Sequence, residues 1–227
     1  GYVAWRGTVP ESELEYKLRC RLSKAITYHV GANSHILVYP IPGQDNALEV
    51  GSRLINFVWY RNYLPGEDLD NLLRDRNSKK WDVSVPPGYM SSDHLAEAKS
   101  VAKARLPTDI STVVNSAKNL FVQVVYDCDI DKMVFKNVCL IGDAAFVVRP
   151  HAAAGTAKAA EDAWQLYNCI SLKNSIPEAL SLWETKQIQM GRNLLKRTRH
   201  IGETSQVRNN WEPGASKFLF GLYQAGE

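Results

Sequence analysis

The segment with the clearest chemical character lies between residues 138 and 163. An apolar run ends at Gly142-Asp143, a short loop passes Arg149-Pro150-His151, and small residues lead into a helical pattern at Gly155. A carboxylate at the end of a strand can accept a hydrogen bond from a sugar hydroxyl. The free N–H groups of a helix start favour a ligand group that carries negative charge. A purely structural interpretation also stays open, in which Asp143 caps the next turn and the alanines serve close helix packing.

Other catalytic and nucleotide-binding motifs are missing. The sequence has no G-x-G-x-x-G fingerprint, no P-loop, no C-x-x-C pair and no G-x-S-x-G elbow. The five histidines include no H-x-x-x-H pair, so no metal site is expected. Hydrolase and metalloenzyme functions therefore have little support.

Composition narrows the class of protein. Hydrophobic residues make up 45% and charged residues 22% of the 227 residues, which is typical of a globular chain. A net charge of +3 is too small to indicate a nucleic-acid partner. The sequence has no apolar run of 18 residues, so no membrane span is expected. Its four scattered cysteines favour free thiols in a reducing cytoplasm.

Hydrophobic periodicity and turn residues predict the elements that carry this segment. Strands are expected at residues 2–9, 36–41, 54–60, 120–126 and 133–141. Helices are expected at residues 10–25, 93–105, 108–117 and 155–172. A longer helix should start at the capping box of Ser175 and Glu178 and continue to about residue 205. Strands dominate the first half and helices the second, which predicts an α+β fold.

The segment resembles the second flavin-binding motif of the FAD-dependent aromatic hydroxylases, the family of 4-hydroxybenzoate and salicylate hydroxylases. The family pattern runs G-D-A-A-H, P, G-x-G-x-N and E-D-A. The chain retains Gly142, Asp143, Ala144, Ala145, Pro150, Gly155, Glu161, Asp162 and Ala163. It departs from the pattern at Phe146, Ala153 and Ala157. Residues 149–158, together with residues 1–7, 39–43 and 56–61, are similar to the branch that contains 2,6-dihydroxypyridine 3-monooxygenase.

The resemblance implies a cofactor and a reaction. Members bind FAD, take electrons from NADPH or NADH, and use O₂ to hydroxylate a small aromatic or N-heteroaromatic ring. The resemblance places Gly142 and Asp143 at the ribityl chain and Pro150 against the flavin ring. The backbone of Ala153, Ala154 and Gly155 would meet the pyrimidine edge. The segment that holds the ADP half of FAD in the family is missing.

The resemblance also implies the domain organisation. A mainly antiparallel substrate-domain sheet would occupy residues 1–132. The C-terminal portion of an FAD-binding domain would follow at residues 133–172, and a helical region at residues 173–227. A homodimer is one arrangement that the sequence leaves open.

Substrate contacts follow less directly from the sequence. The sheet over the flavin offers four candidates, namely His35, Tyr39, Asn56 and Trp59. Alternation lets only about half of a strand's residues face one pocket, so core packing of Tyr39 and Trp59 remains open. Arg61 is expected in a surface ion pair. His151 is the candidate catalytic acid or base because histidine titrates near neutrality, although a hydrogen bond that fixes the loop is equally compatible.

Two functions are compatible with these observations. The chain is expected to be part of an FAD-dependent monooxygenase for a hydroxypyridine-like ring. The alternative is a non-catalytic or truncated fragment that keeps the substrate-domain fold without tight FAD binding. The missing G-x-G-x-x-G favours the alternative for the isolated chain.

Overall fold

A computed structural model describes residues 1–210 and Leu222. The chain divides into two compact units, Gly1–Val125 and Tyr126–Glu227. The boundary lies just after the last strand of the six-stranded sheet in the first unit. The expected division at residues 132 and 172 remains a prediction, and residues 211–221 and 223–227 of the third expected region lie outside the described part.

The first unit is built on a six-stranded antiparallel sheet with the order β2-β3-β4-β1-β6-β5. The strands are β1 (Tyr2–Pro10), β2 (Thr27–Gly31), β3 (Ser34–Ile41), β4 (Leu54–Asn62), β5 (Ser84–Val85) and β6 (Phe121–Val124). Strand β4 lies between β1 and β3, and all three are rich in β-branched and aromatic residues. Such residues suit a pleated surface that is at least half buried.

The main hydrophobic core covers one face of this sheet. In this core, Trp5 and Trp59 lie opposite each other on β1 and β4. Helices α1 (Tyr16–Leu22), α2 (Glu67–Leu72), α3 (Ser92–Arg105) and α4 (Thr108–Ser116) contribute to that core. Burial of each large apolar side chain stabilises the fold by about 1.5–3 kcal/mol.

The second unit, as far as residue 210, combines a small hairpin with two helices. Strands β7 (Val134–Phe135) and β8 (Val138–Cys139) pair in antiparallel fashion. Helix α5 (Gly155–Leu172) follows two short 3-10 turns, Gly142–Ala144 and Pro150–Ala152. Helix α6 (Ile176–Gln206) has 31 residues and packs against α5. Its capping residue is Ser175, whose hydroxyl accepts a hydrogen bond from the Glu178 N–H, as the capping box predicts.

Two predicted elements are wrong in part. The helix expected at residues 10–25 is shortened to α1, because β1 continues to Pro10 and Glu11 is fully buried against Arg53. The single strand expected at residues 133–141 is a hairpin of two short strands, with Lys136 in the left-handed region at its turn. Strand β2 was not predicted.

The α+β class with a mainly antiparallel sheet is confirmed. Of the helices in the described part of the chain, none combines the length and the apolar composition that a membrane span requires.

Candidate functional site

The turn after β8 depends on a glycine at position 142. Gly142 has a φ of +58°, a conformation that side chains disfavour, and it is buried. A Cβ at this position would lie 3.2 Å from the Cβ of Ala159 on α5. The turn therefore needs glycine both for its backbone conformation and for its close approach to the helix.

Two side chains of α5 hold the backbone of Gly142 on both sides. The Gly142 N–H donates to Oδ2 of Asp162 at 2.8 Å. Nζ of Lys158 lies 2.6 Å from the same oxygen and 3.4 Å from the Gly142 carbonyl oxygen. Lys158 and Asp162 are 1% and 0% exposed, so this ion pair lies inside the protein. The position of the turn is thus set by helix α5.

Asp143 follows directly and presents its side chain differently. The residue is exposed, and no described residue forms a hydrogen bond or an ion pair with its carboxylate. Asp143 lies within the 3-10 turn Gly142–Ala144, and neither this turn nor the following one, Pro150–Ala152, has a side-chain cap. The carboxylate is therefore available to accept hydrogen bonds from a ligand.

The start of α5 is also open to a ligand. Ala153 has a φ of +51°, and Ala154 is the buried N-cap residue, which offers no side-chain acceptor to the first turn. The first backbone hydrogen bond runs from Lys158 N to Ala154 O, so the N–H groups of the first helical turn have no acceptor within the helix. The N–H of Ala153 differs from the expectation, because it already donates to the Pro150 carbonyl oxygen at 2.9 Å. A Cβ on Gly155 would meet nothing within 4 Å. This helix start can accommodate a polar group of negative character.

The loop between the turn Gly142–Ala144 and helix α5 is held by ion pairs and by a short backbone bridge. Cys128 and Val147 exchange two backbone hydrogen bonds, of 3.0 and 3.2 Å. The Asp127 carboxylate accepts hydrogen bonds from Arg149 at 2.8 Å and from Arg199 of α6 at 2.5 and 3.1 Å. These hydrogen bonds hold the pKa of Asp127 below its usual range, with Arg199 the larger cause. Pro150 follows this fixed point and is exposed.

His151 does not meet the expectation that it titrates near neutrality. The side chain is 2% exposed, and burial together with the neighbouring Arg149 lowers its pKa to about 3. At neutral pH the imidazole is uncharged, so it cannot donate a proton as an imidazolium. The prediction that His151 titrates near neutral pH is therefore wrong. The local sequence does not reveal the burial that lowers its pKa.

Three of the four predicted substrate residues share one face of the sheet in the first unit. His35 is 1% exposed and stacks on Tyr60, with the ring centroids 4.4 Å apart. Tyr39 lies opposite Asn56 in the register of β3 and β4. Asn56 is 8% exposed, and its Nδ2 has no hydrogen-bond partner among the described residues. Burial raises the pKa of Tyr60 well above its usual range, so this phenol stays protonated.

Trp59 lies on the opposite face of that sheet. It is 1% exposed in the main core, and its Nε1 donates to Oγ of Ser34 at 2.8 Å. The structure therefore does not group Trp59 with the other three candidates, because alternation along β4 places it among core residues. Arg61 forms the expected ion pair, with two hydrogen bonds to Glu97 of 2.6 and 2.9 Å.

Sequence reasoning overlooked several residues that build the loop. Lys158 and Asp162 are four residues apart, which places them on one helix face, and this spacing could have indicated their ion pair. Asp127 and Trp183 carried no local signal, because their partners are distant in sequence. The Trp183 Nε1 donates to the Asp162 carbonyl oxygen at 2.8 Å, which ties α6 to α5.

Comparisons with known proteins match both units. A family model described as FAD binding domain-like matches residues 1–127, which include the whole first unit. The chain is 36% identical over all 227 residues to a 2,6-dihydroxypyridine 3-monooxygenase of Paenarthrobacter nicotinovorans, and it covers 56% of that relative.

Solved structures agree with this match. The 2,6-dihydroxypyridine-3-hydroxylase of Arthrobacter nicotinovorans superimposes with a TM-score of 0.91 at 35% identity, over 100% of this chain and 57% of the other. A salicylate hydroxylase in a substrate complex gives a TM-score of 0.66 at 20% identity, over 95% and 49% of the two chains. Klebsiella pneumoniae HpxO, complexed with FAD and uric acid, gives 0.68 at 19% identity, over 92% and 46%.

The chain thus spans about half the length of the relatives that it matches. Family model, sequence identity and fold point to the same group, and they confirm the family expected from the Gly142-Asp143 segment. The chain belongs to the FAD binding domain-like family and has the fold of the FAD-dependent hydroxylases.

Proposed function

We propose that the chain is part of an FAD-dependent monooxygenase that hydroxylates a hydroxylated aromatic or N-heteroaromatic ring of the hydroxypyridine type. NADPH or NADH would donate the electrons and O₂ would be the second substrate. The observation that carries this proposal is the exposed Asp143 carboxylate, which has no described partner and lies in a turn whose first residue, Gly142, is held at both its N–H and its carbonyl group.

The residues of the loop fit a flavin. The Asp143 carboxylate can accept hydrogen bonds from the ribityl hydroxyl groups. The open N–H groups at the start of α5 suit the pyrimidine edge of the ring system, where negative charge collects on reduction. Exposed Pro150 supplies a rigid apolar surface beside them. Bound flavin would supply two-electron redox chemistry and the activation of O₂.

The chain's own residues would position and stabilise these groups. Asp143 would orient the ribityl chain, and the helix start would favour the charged form of the cofactor. His151 is buried in this loop, and its lowered pKa keeps the imidazole uncharged at neutral pH. A group with a pKa near 3 is a poor general acid at neutral pH.

Ring recognition would fall to His35, Tyr39 and Asn56. Aromatic neighbours stack with each other on this face, which suits a planar ring. The unpartnered Nδ2 of Asn56 is a donor for a hydroxyl or carbonyl oxygen of the substrate. Because a buried donor without an acceptor is unfavourable, a substrate oxygen would be selected over an apolar substituent.

The ADP half of FAD requires a different site. The sequence has no G-x-G-x-x-G, the usual cradle of the pyrophosphate. We propose that a part corresponding to the remaining length of the relatives supplies it. All four cysteines are free, which supports a reducing compartment such as the cytoplasm.

Titration of the chain with riboflavin and with FAD, followed by flavin fluorescence, tests the proposal. Saturable binding of both is expected, and Asp143→Ala should weaken it by about tenfold, since a hydrogen bond to a charged group contributes about 1.5 kcal/mol. Asp82→Ala is the matched control, because Asp82 is exposed and belongs to the first unit.

The protein from its native source provides the second test. A yellow protein that oxidises NADH or NADPH faster in the presence of 2,6-dihydroxypyridine supports the proposal. A colourless protein that binds neither flavin would contradict it and would favour the non-catalytic alternative.

A further inference from the structure

We propose that Lys158 and Asp162 are positioning residues that hold Gly142, and through it Asp143, in the conformation that receives the flavin. This inference rests on the proposed function, because it assigns Asp143 to the cofactor. It concerns two side chains inside the protein that do not themselves contact the ligand.

Three groups surround the Lys158 ammonium. It donates to the Asp162 carboxylate at 2.6 Å and to the Gly142 carbonyl oxygen at 3.4 Å, and it lies 5.3 Å from the ring centroid of Phe146. Burial of an ammonium group is costly unless such groups pair with it. The pattern accounts for a residue of this type at 1% exposure within a run of alanines.

Asp162 completes the arrangement from the other side. Its Oδ2 accepts from both Lys158 and the Gly142 N–H, so one carboxylate oxygen joins the helix to the turn. Its carbonyl oxygen accepts from Trp183, which fixes this part of α5 against α6. The Gly142 carbonyl also accepts from the N–H groups of Ala145 and Phe146. The N–H and the C=O group of Gly142 therefore both form hydrogen bonds.

The position of Asp143 depends on the contacts of Lys158 and Asp162 with the Gly142 backbone. The two residues share a peptide bond, and Gly142 is held in the left-handed region at φ +58°. If Asp162 is removed, the N–H of Gly142 loses its acceptor, and if Lys158 is removed, that acceptor carboxylate loses its countercharge and the Gly142 carbonyl loses a donor, so that the turn gains freedom in both cases. The exposed Asp143 carboxylate has no described partner to hold it in place, so its orientation would be lost with the turn.

The first readout is the hydrogen-exchange rate of the Gly142 amide, measured by NMR on the complete chain. We expect Lys158→Met and Asp162→Asn to speed this exchange at least tenfold. Lys158→Arg should recover part of the protection, because it keeps the charge. Glu11→Gln is the matched control, since Glu11 forms a comparable buried pair with Arg53 in the first unit. It should leave the Gly142 rate unchanged.

The second readout is the affinity for riboflavin, which lacks the ADP half. Lys158→Met should weaken binding by about tenfold, as Asp143→Ala does, and Lys158→Arg should restore part of it. Should the single variants not fold, the double variant Lys158→Met with Asp162→Met removes both charges together, which is often tolerated. It should show rapid Gly142 exchange and weak riboflavin binding in a folded protein.

Two results would overturn the inference. One is a wild-type exchange rate for Gly142 in the Lys158 and Asp162 variants. The other is wild-type riboflavin affinity in those variants while Asp143→Ala loses affinity, which would leave the proposed function intact. If wild-type protein does not bind riboflavin at all, the proposed function fails and the positioning role fails with it.

Discussion

Gly191 of α6 lies directly against the ring of Phe146, and a Cβ at position 191 would come within 2.6 Å of that ring. Phe146 is fully buried and occupies the position at which the family pattern has histidine. We expect Gly191→Ala to destabilise the protein by about 1–3 kcal/mol, since overpacking forces the ring or the helix to move. Urea unfolding of the variant measures this change.

Two further variants test the cause of that destabilisation. Gly191→Ala combined with Phe146→Leu should recover part of the loss, because the smaller side chain makes room. Gly31→Ala should have a much smaller effect, since the nearest atoms to its new Cβ lie 3.8 Å away. Equal destabilisation by both glycine variants would contradict the packing explanation.

The depressed pKa of His151 predicts a specific pH dependence. Its pKa is about 3 in the folded state, against about 6.5 for an exposed histidine. Between these values the unfolded chain binds the proton more tightly, so the free energy of unfolding falls as the pH drops below 6.5. At pH 5 the loss due to this residue should be about 2 kcal/mol. Urea unfolding at pH 7 and pH 5 measures it.

His151→Phe is the corresponding control for the pH effect. The variant keeps an aromatic side chain in the buried site but cannot bind a proton, so its stability should change less between pH 7 and pH 5. The lowered pKa values of Glu11 and Asp127 act below about pH 4, outside this window. An equally steep loss in His151→Phe would show that another group titrates.

Asp127 should contribute more stability than an exposed acidic residue with a similar partner. Asp127→Asn removes the charge that Arg149 and Arg199 share, and we expect a loss of about 1–3 kcal/mol. Asp131→Asn is the control, because its side chain is 99% exposed beside Arg192 and should cost less than about 1 kcal/mol. Similar losses of stability in both variants would show that the ion pairs of Asp127 with Arg149 and Arg199 contribute no more than an exposed pair.

The Asp127 effect should also disappear in acid. The folded-state pKa of Asp127 is lowered, so its contribution is complete above the unfolded pKa near 3.9 and is lost as the pH falls through the folded value. The difference between wild type and Asp127→Asn should therefore shrink below about pH 4.

Glu184 should stabilise the hairpin of the second unit. One of its carboxylate oxygens accepts hydrogen bonds from the N–H groups of Met133 and Val134, both at 2.7 Å. Glu184→Ala should speed hydrogen exchange at both amides by about tenfold, since each loses a charged acceptor. Lys186→Ala, at an exposed position on the same helix, should leave both rates unchanged.

Patterns within a few residues predicted much of the fold. The capping box at Ser175 and Glu178 identified the start of α6, and β-branched and aromatic runs identified β3 and β4. These features depend on neighbours in sequence. The segment around Gly142 and Asp143 was recognised in the same way, because its turn and helix start are local.

Interactions between distant residues account for what was missed. The helix predicted at residues 10–25 is shorter in the structure because Glu11 forms an ion pair with Arg53, 42 residues away. The hairpin replaces a single strand because Glu184 holds Met133, 51 residues away. The low pKa of His151 likewise depends on burial by residues that no local pattern reveals.

Helix α6 contacts successive parts of the second unit along its length. Glu184 holds the hairpin, Trp183 holds α5, Gly191 receives Phe146, and Arg199 holds the loop through Asp127. A helix of 31 residues is about 46 Å long, so α6 connects these parts over most of the second unit's described residues. The hairpin, the turn and the loop should therefore open as one cooperative unit rather than separately, so that ligand binding at the turn would slow hydrogen exchange at the distant hairpin as well.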